Sequence, residues 1–366
     1  MPNIFGKDYT KEELRARVGR MDQLCGVRAG MLTDGRAAGV RVADFWNGSG
    51  LEFSVLLDRG MDISAARWKG RSLCWRSPVG EVNPAYFDAR GMEWLRSFVG
   101  GLVVTSGLRN VGSPGEDQGE QLNLHGRIDN LPAENVHVDA EWDADGDYVI
   151  WASGKIREAR VFGENVLLTR KVFTRLGANK LWIHDTVENQ GHQRTEHLLL
   201  YHMNIGFPIV DEGSELIAPS REVRPRDAEA EKEKEAYASF HEPRPDYQEK
   251  VYYHQMVAGA DGIVPVALVQ RNAEAGTGFG VYVSYVQKEL PQFVQWKMMG
   301  QGMYVVGLEP ANCLVEGRAQ ERAAGRLQYL EPGERREYRL EIGVLPSLLE
   351  ITAFEDRVRQ IMEQAG

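Results

Sequence analysis

The punctuation between apolar runs constrains this chain most. From about Met31 to Leu345, short apolar or alternating runs recur, each bounded by Gly, Asp or Asn. Examples are Leu51–Leu57, Tyr148–Ala152, Asn165–Phe173, Lys180–Val187, His197–Tyr201, Val264–Gln270, Gly280–Tyr285, Gln292–Met298, Met303–Leu308 and Glu337–Val344. Runs of this length and period are strands rather than helices. Turn signals such as Leu176-Gly177-Ala178-Asn179 and Glu188-Asn189-Gln190-Gly191 separate them, which predicts an all-β, antiparallel sandwich. No Gly-rich phosphate loop joins a strand to a helix and no βα alternation occurs, so a nucleotide-binding α/β fold is disfavoured.

The two ends read differently from the middle. Thr10 and Glu13 form a capping-box pattern, with Leu14 and Val18 at helical spacing, predicting a short helix over 10–19 within an N-terminal clasp of residues 1–30. Ile351, Phe354, Val358 and Ile361 share one face, predicting a C-terminal helix in 346–366 docked on the main domain, residues 31–345. The charge-rich segment 226–236 reads as a solvated helix or a loop. Residues Met1 to Arg20 carry no apolar signal-peptide core, and no later run reaches the length of a membrane span; the expectation is a cytoplasmic protein without a membrane partner. A net charge of −10 argues against nucleic acid as a partner, because phosphate binding needs clustered Lys and Arg. Cys25, Cys74 and Cys313 are widely spaced and odd in number, which suits reduced thiols; Cys313, close to Glu309, reads as a small buried hydrophobe in preference to a nucleophile.

Three residues stand out as carriers of chemistry. Tyr304 to Asn312 brings Glu309 to the far end of an apolar run, where a carboxylate must be satisfied by donors or hold a raised pKa. His202 follows Leu198-Leu199-Leu200-Tyr201 and precedes Met203-Asn204-Ile205-Gly206, as if a strand delivered it into a loop. His125 lies in Leu124-His125-Gly126-Arg127, beside a Gly that admits close ligand approach and an Arg that can hold an oxygen. A buried structural role for either histidine has about equal standing before partners are considered. Asp58-Arg59-Gly60-Met61-Asp62 suits a stapled turn or a hydroxyl-binding edge equally well. Trp75, Trp94 and Trp296-Lys297 supply aromatic faces of the kind that pack on sugar C–H surfaces.

Together these pieces resemble the galactose mutarotase-like superfamily, in its aldose 1-epimerase branch described as DUF4432. The motifs are Asp58 to Ile63, Gly100-Gly101-Leu102, Leu124 to Arg127, Tyr201 to Pro208 and Gly307 to Asn312, in that order. The resemblance implies a β-supersandwich with short terminal helices and an isomerase site on a concave sheet. It implies His202 as the acid that protonates the sugar ring oxygen, Glu309 as the base at the anomeric hydroxyl, and His125 as a second, positioning imidazole. Asp58, Arg59, Arg127, Asn204, Trp296 and Lys297 are the expected substrate contacts, and no cofactor is expected. Arg59, Arg71, Arg76, Arg109 and Arg127 suggest an anionic sugar. Two alternatives stand beside this reading. One is an epimerase, isomerase or lyase acting on a keto-sugar, with a divalent metal on His125, His202 and Glu309; the other is a non-catalytic carbohydrate-binding protein. Oligomeric state stays open, a homodimer included.

Overall fold

The structure is a computed structural model that describes residues 2–4, 6–272 and 277–365. Three antiparallel sheets carry the architecture. A five-stranded meander runs through Gly26–Met31, Arg41–Trp46, Leu51–Leu56, Asp62–Trp68 and Arg71–Ser72. An eight-stranded sheet takes, in spatial order, Ala133–Trp142, Tyr148–Ala159, Asn165–Arg175, Lys180–Asn189, Arg335–Leu345, Phe279–Val286, Ile263–Gln270 and Glu215–Ile217. The third sheet has seven strands. Its order is Ser220–Pro225, Lys250–Met256, Gln292–Gly300, Met303–Ala311, Thr195–Gly206 and Gln328–Leu330, with Val104–Leu108 pairing on Thr195–Gly206 as well. These layers form the expected β-supersandwich, and every predicted run lies within a strand except Leu51–Leu57, whose strand ends at Leu56.

Side-chain alternation explains which sheet faces what. Along Lys180–Asn189 the buried positions are Leu181, Ile183, Asp185, Val187 and Asn189, so this strand turns one face to the core and one to solvent. Along Thr195–Gly206 nearly every residue is buried, so the strand is covered on both faces. That continuous burial is why its polar members, His197, His202 and Asn204, need specific partners.

Buried charge ties the layers together. Arg170, fully buried, donates to Asp185 from Nε (2.9 Å) and Nη2 (2.6 Å), and to Asp62 from Nη1 (2.8 Å). Asp185 also accepts the Tyr201 hydroxyl at 2.6 Å, and Asp62 accepts the Thr105 amide and hydroxyl at 2.9 and 2.6 Å. The Asp58 to Asp62 turn is thus stapled on every side. Asp58 receives the Arg41 side chain, and the Arg59 guanidinium donates to the carbonyls of Asp129, Val82 and Ser97 at 2.7–2.9 Å.

At the N-terminus the capping box is present, with Thr10 and Glu13 bonded reciprocally, but the helix covers only Lys11–Arg15. Leu14 alone is buried, so one turn suffices to seat it. The helix Leu348–Ala365 places Ile351, Phe354 and Val358 against Ile217, Ala267, Val269 and Leu345. No helix among the described residues is long and apolar enough to cross a membrane. All three cysteines are free and buried.

Candidate active site

Register creates the site. Leu200 pairs with Ala311 and Met203 with Leu308, so His202 and Glu309 lie opposite each other on adjacent strands. Their side chains approach to 3.2 Å, Nε2 to Oε1, with both residues almost wholly buried. Both sit inside strands rather than at strand ends, and Pro310 continues the strand beside Glu309. The sequence suggested a loop after His202; pairing of Asn204 with Gly307 and of Gly206 with Val305 carries the strand through these positions.

The pair lies at the base of a cavity of about 540 Å³ whose wall includes Trp94, Phe98, His125, Trp296, Met298 and Met303. Such a volume suits a small ligand. The His202 ring meets Phe98 and Trp296 edge-on, each with centroids 5.4 Å apart, and His125 at 5.8 Å. His125 in turn packs on Trp94 at 4.7 Å. Its loop is held by backbone contact: Gly126 has φ +79, and a Cβ there would come within 2.2 Å of the Gly107 carbonyl and 2.6 Å of that of Asn110. Gly126 therefore serves packing of the loop against the chain, where the sequence suggested ligand approach.

Burial sets the electrostatics. Removal from water pushes the Glu309 carboxyl well up from its usual range, Glu249 adds to this, and Arg226 opposes it. Burial pushes His202 well down, with His125 adding and the Asn204 side chain opposing. His125 is pushed down to about 4 by burial alone. His202 Nδ1, Asn204 Oδ1 and Glu309 Oε1 are buried without a hydrogen-bond partner, so the 3.2 Å approach is close but poorly aligned. Asn204 spends its amide N–H groups on the carbonyls of His202 and Gly101, at 2.9 and 3.2 Å. Both directions of shift favour the neutral form of each group.

The other expected contacts divide. Trp296 lines the cavity and donates its indole N–H to Glu249 at 2.8 Å. Asn204 adjoins His202 on the same strand face without lining the cavity. Asp58, Arg59, Arg127 and Lys297 do not line it. Arg59 acts at one remove: it bonds Asp129, which accepts the Trp94 indole N–H at 3.1 Å, behind the ring that supports His125. Burial lifts Asp129 to about 7, opposed chiefly by Arg59. Lys297 donates to the carbonyls of Ala236 and Ser239 at 2.8 and 2.9 Å, with Glu233 nearby at 3.4 Å. The charged 226–236 segment is accordingly docked rather than merely solvated: Glu229 and Glu233 meet the buried Lys250, and Ala230 is fully buried.

Several wall residues escaped sequence reasoning. Phe98, Glu249 and Glu316 had no local signal, and Arg226 was hidden in a charge run; only strand register and loop path bring them to the cavity. Gly307 was visible as part of a motif, but its role was not. A Cβ on Gly307 would lie 2.4 Å from Glu309 Oε1 and 2.9 Å from Trp296 Cβ, so this glycine leaves room for the carboxyl. Gly307→Ala is expected to turn Glu309 away from His202 and to lower any turnover that depends on this pair by roughly 10²-fold. A kinetic comparison at unchanged melting temperature checks it; unchanged turnover would mean the carboxyl needs no such space.

Among the described residues, no three His, Cys, Asp or Glu side chains group closely enough to hold a metal ion, so His125, His202 and Glu309 are not arranged as a ligand set. A larger groove of about 960 Å³ lies between hairpin tips near residues 159–165 and 189–196. Its Arg109 is bound to Glu120, Glu164 and Glu196, and it holds no comparable acid–base pair.

Comparison with solved structures shows the fold. A candidate aldose 1-epimerase from Klebsiella pneumoniae superposes with a TM-score of 0.86 at 24% identity, over 93% of this chain and 90% of that one. A galactose mutarotase-like protein from Clostridium acetobutylicum gives 0.58 at 10% identity, covering 88% and 99%. Galactose 1-epimerase from Lactobacillus acidophilus gives 0.53 at 13%, again covering 88% and 99%. No curated protein matches the sequence. The family described as Domain of unknown function (DUF4432) matches residues 37–344. By that match the chain belongs to the DUF4432 family, and it shares its fold with these solved structures.

Proposed function

We propose that the chain is an aldose 1-epimerase, interconverting the anomers of a sugar by acid–base ring opening. The observation that carries this is the His202–Glu309 pair, 3.2 Å apart and buried at the base of a cavity of sugar size. Opening a cyclic hemiacetal requires a proton to reach the ring oxygen while another leaves the anomeric hydroxyl. Rotation about C1–C2 and reclosure then give the other anomer. Two adjacent groups sharing one proton suit this exchange, since the total proton count is unchanged at the end.

Burial supports a starting state with the proton on Glu309. With the carboxyl raised and the imidazole lowered, Glu309 carries it and delivers it to the ring oxygen, while His202 Nε2 takes the proton of the anomeric hydroxyl. This reverses the assignment implied by resemblance; reclosure returns each proton by the opposite path. His125, neutral for the same reason, can position an oxygen but is not a proton source near neutrality.

The sign can be checked. Imidazoles with depressed pKa values stay neutral as pH falls through the ordinary value of 6.5. Ring nitrogen NMR shifts of His202 and His125 are expected to remain those of neutral imidazole at pH 6. An imidazolium signal from His202 at that pH would return the acid role to the histidine. Activity itself is tested by polarimetry or exchange NMR on freshly dissolved aldoses; no acceleration of any aldose would overturn the proposed function.

A further inference from the structure

We propose that the substrate is a neutral deoxy-aldose, whose missing hydroxyl lies over the apolar side of the cavity; this rests on the mutarotase reading. Two independent observations carry it. The first concerns charge. The arginines that suggested an anionic sugar are engaged elsewhere: Arg59 with three carbonyls and Asp129, Arg76 with Glu81, Arg109 with three glutamates. Arg71 stacks its guanidinium over Phe279 at 4.1 Å, and Arg127 is exposed outside the cavity. Among the described residues, Arg226 is the one Arg or Lys in the lining, held between Asp227 and Glu249 at 2.9 and 3.1 Å. Glu249 and Glu316 line the same cavity. A carboxylate or sulfonate on the sugar would therefore meet acids and no uncommitted base.

The second observation is where polarity stops. On the face of the strand that bears Glu309, the next positions are Gly307, Val305 and Met303, none with a polar side chain. Trp296, Met298 and Met303 pack there against a cluster that contains Trp94, Phe98 and Val305. The exposed Met92 and Leu95 extend the apolar surface along the rim. A hydroxyl buried against this side loses its water without finding a partner, whereas a C–H or methyl group packs on the rings. Elsewhere in the lining, hydroxyls have His125, His202, Ser113, Arg226, Glu249 and Glu316, and Glu249 meets the apolar wall only at the Trp296 indole N–H, which it accepts at 2.8 Å. A buried hydroxyl left unpaired is expected to cost about tenfold or more in kcat/KM.

The test is exchange NMR of anomer interconversion with the full chain on matched pairs: D-galactose with D-fucose, D-ribose with 2-deoxy-D-ribose, and D-galacturonate as the anionic member. Expected is a kcat/KM at least about tenfold higher for the deoxy sugar in one pair or more, with galacturonate slowest. The variant Met303→Gln, at a partly exposed position, is expected to narrow the gap within that pair by offering the hydroxyl a partner. Faster turnover of each hydroxylated parent, or of galacturonate, overturns the inference and leaves the mutarotase reading standing. An unchanged gap in Met303→Gln likewise removes this wall as the discriminating surface. Failure to accelerate any sugar overturns the proposed function itself, and the inference with it.

Discussion

Glu309→Gln is expected to lower kcat/KM for anomer interconversion by about 10²–10⁴-fold. The amide keeps the size and the apolar contacts of the protonated carboxyl but cannot pass its proton to the ring oxygen or recover it on reclosure. Because Glu309 is buried with its pKa raised well above the usual carboxylate range, the native group already resembles a neutral amide in the resting state. The melting temperature should accordingly hold or rise slightly. Exchange NMR together with a thermal melt separates the two effects. A variant that melts normally and retains full turnover would place the acid–base chemistry on other residues.

Arg170→Met is expected to produce the largest loss of stability. It leaves Asp62 and Asp185 buried without their counter-charge, and removing one partner of such a network costs about 3–5 kcal/mol. For 366 residues this corresponds to a fall in melting temperature of roughly 4–7 °C. The damage should reach the site. Asp185 bonds Tyr201, the neighbour of His202, and Asp62 bonds Thr105, which pairs with Tyr201 across the sheet. Denaturant unfolding gives the measurement. A loss below about 1 kcal/mol would mean that water or side-chain movement replaces the lost partner.

The fold was legible because strand signals are local: alternation, run length and turn residues sit within a few positions of one another. Part of the candidate site was legible too, since His125, His202 and Glu309 belong to recognisable motifs and all three line one cavity. What could not be read is pairing. Nothing near His202 announces that Glu309 will lie across from it; that follows from the register Leu200 to Ala311. Charge was misleading for the same reason. Arg59 and Lys297 look like ligand-binding groups in sequence, yet their donors are spent on distant carbonyls, and the acids of the 226–236 segment find buried lysines. A sequence displays a charge without displaying its partner. Conversely, Phe98 and Glu249 look unremarkable and become cavity wall only through the path of their loops.

The chain leaves the cavity sheet at Arg226 and re-enters it at Lys250, immediately after Glu249, and Arg226 and Glu249 are joined by an ion pair of 3.1 Å at the cavity. The Arg226 amide also reaches the Val251 carbonyl at 2.9 Å, so the neck of this excursion is held by the sheet itself. Between these ends, none of residues 227–248 lines the cavity. They hold buried cations instead: the Ala236 and Ser239 carbonyls accept from Lys297, and Glu229 and Glu233 pair with Lys250, so changing them costs the sheet its counter-groups as well as loop-closure entropy. The acid–base floor, on Thr195–Gly206 and Met303–Ala311, belongs to other strands. The excursion that sets Arg226 and Glu249 at one corner of the cavity is thereby a structural part of the sheet, and shortening it is expected to cost stability before it reaches the His202–Glu309 pair.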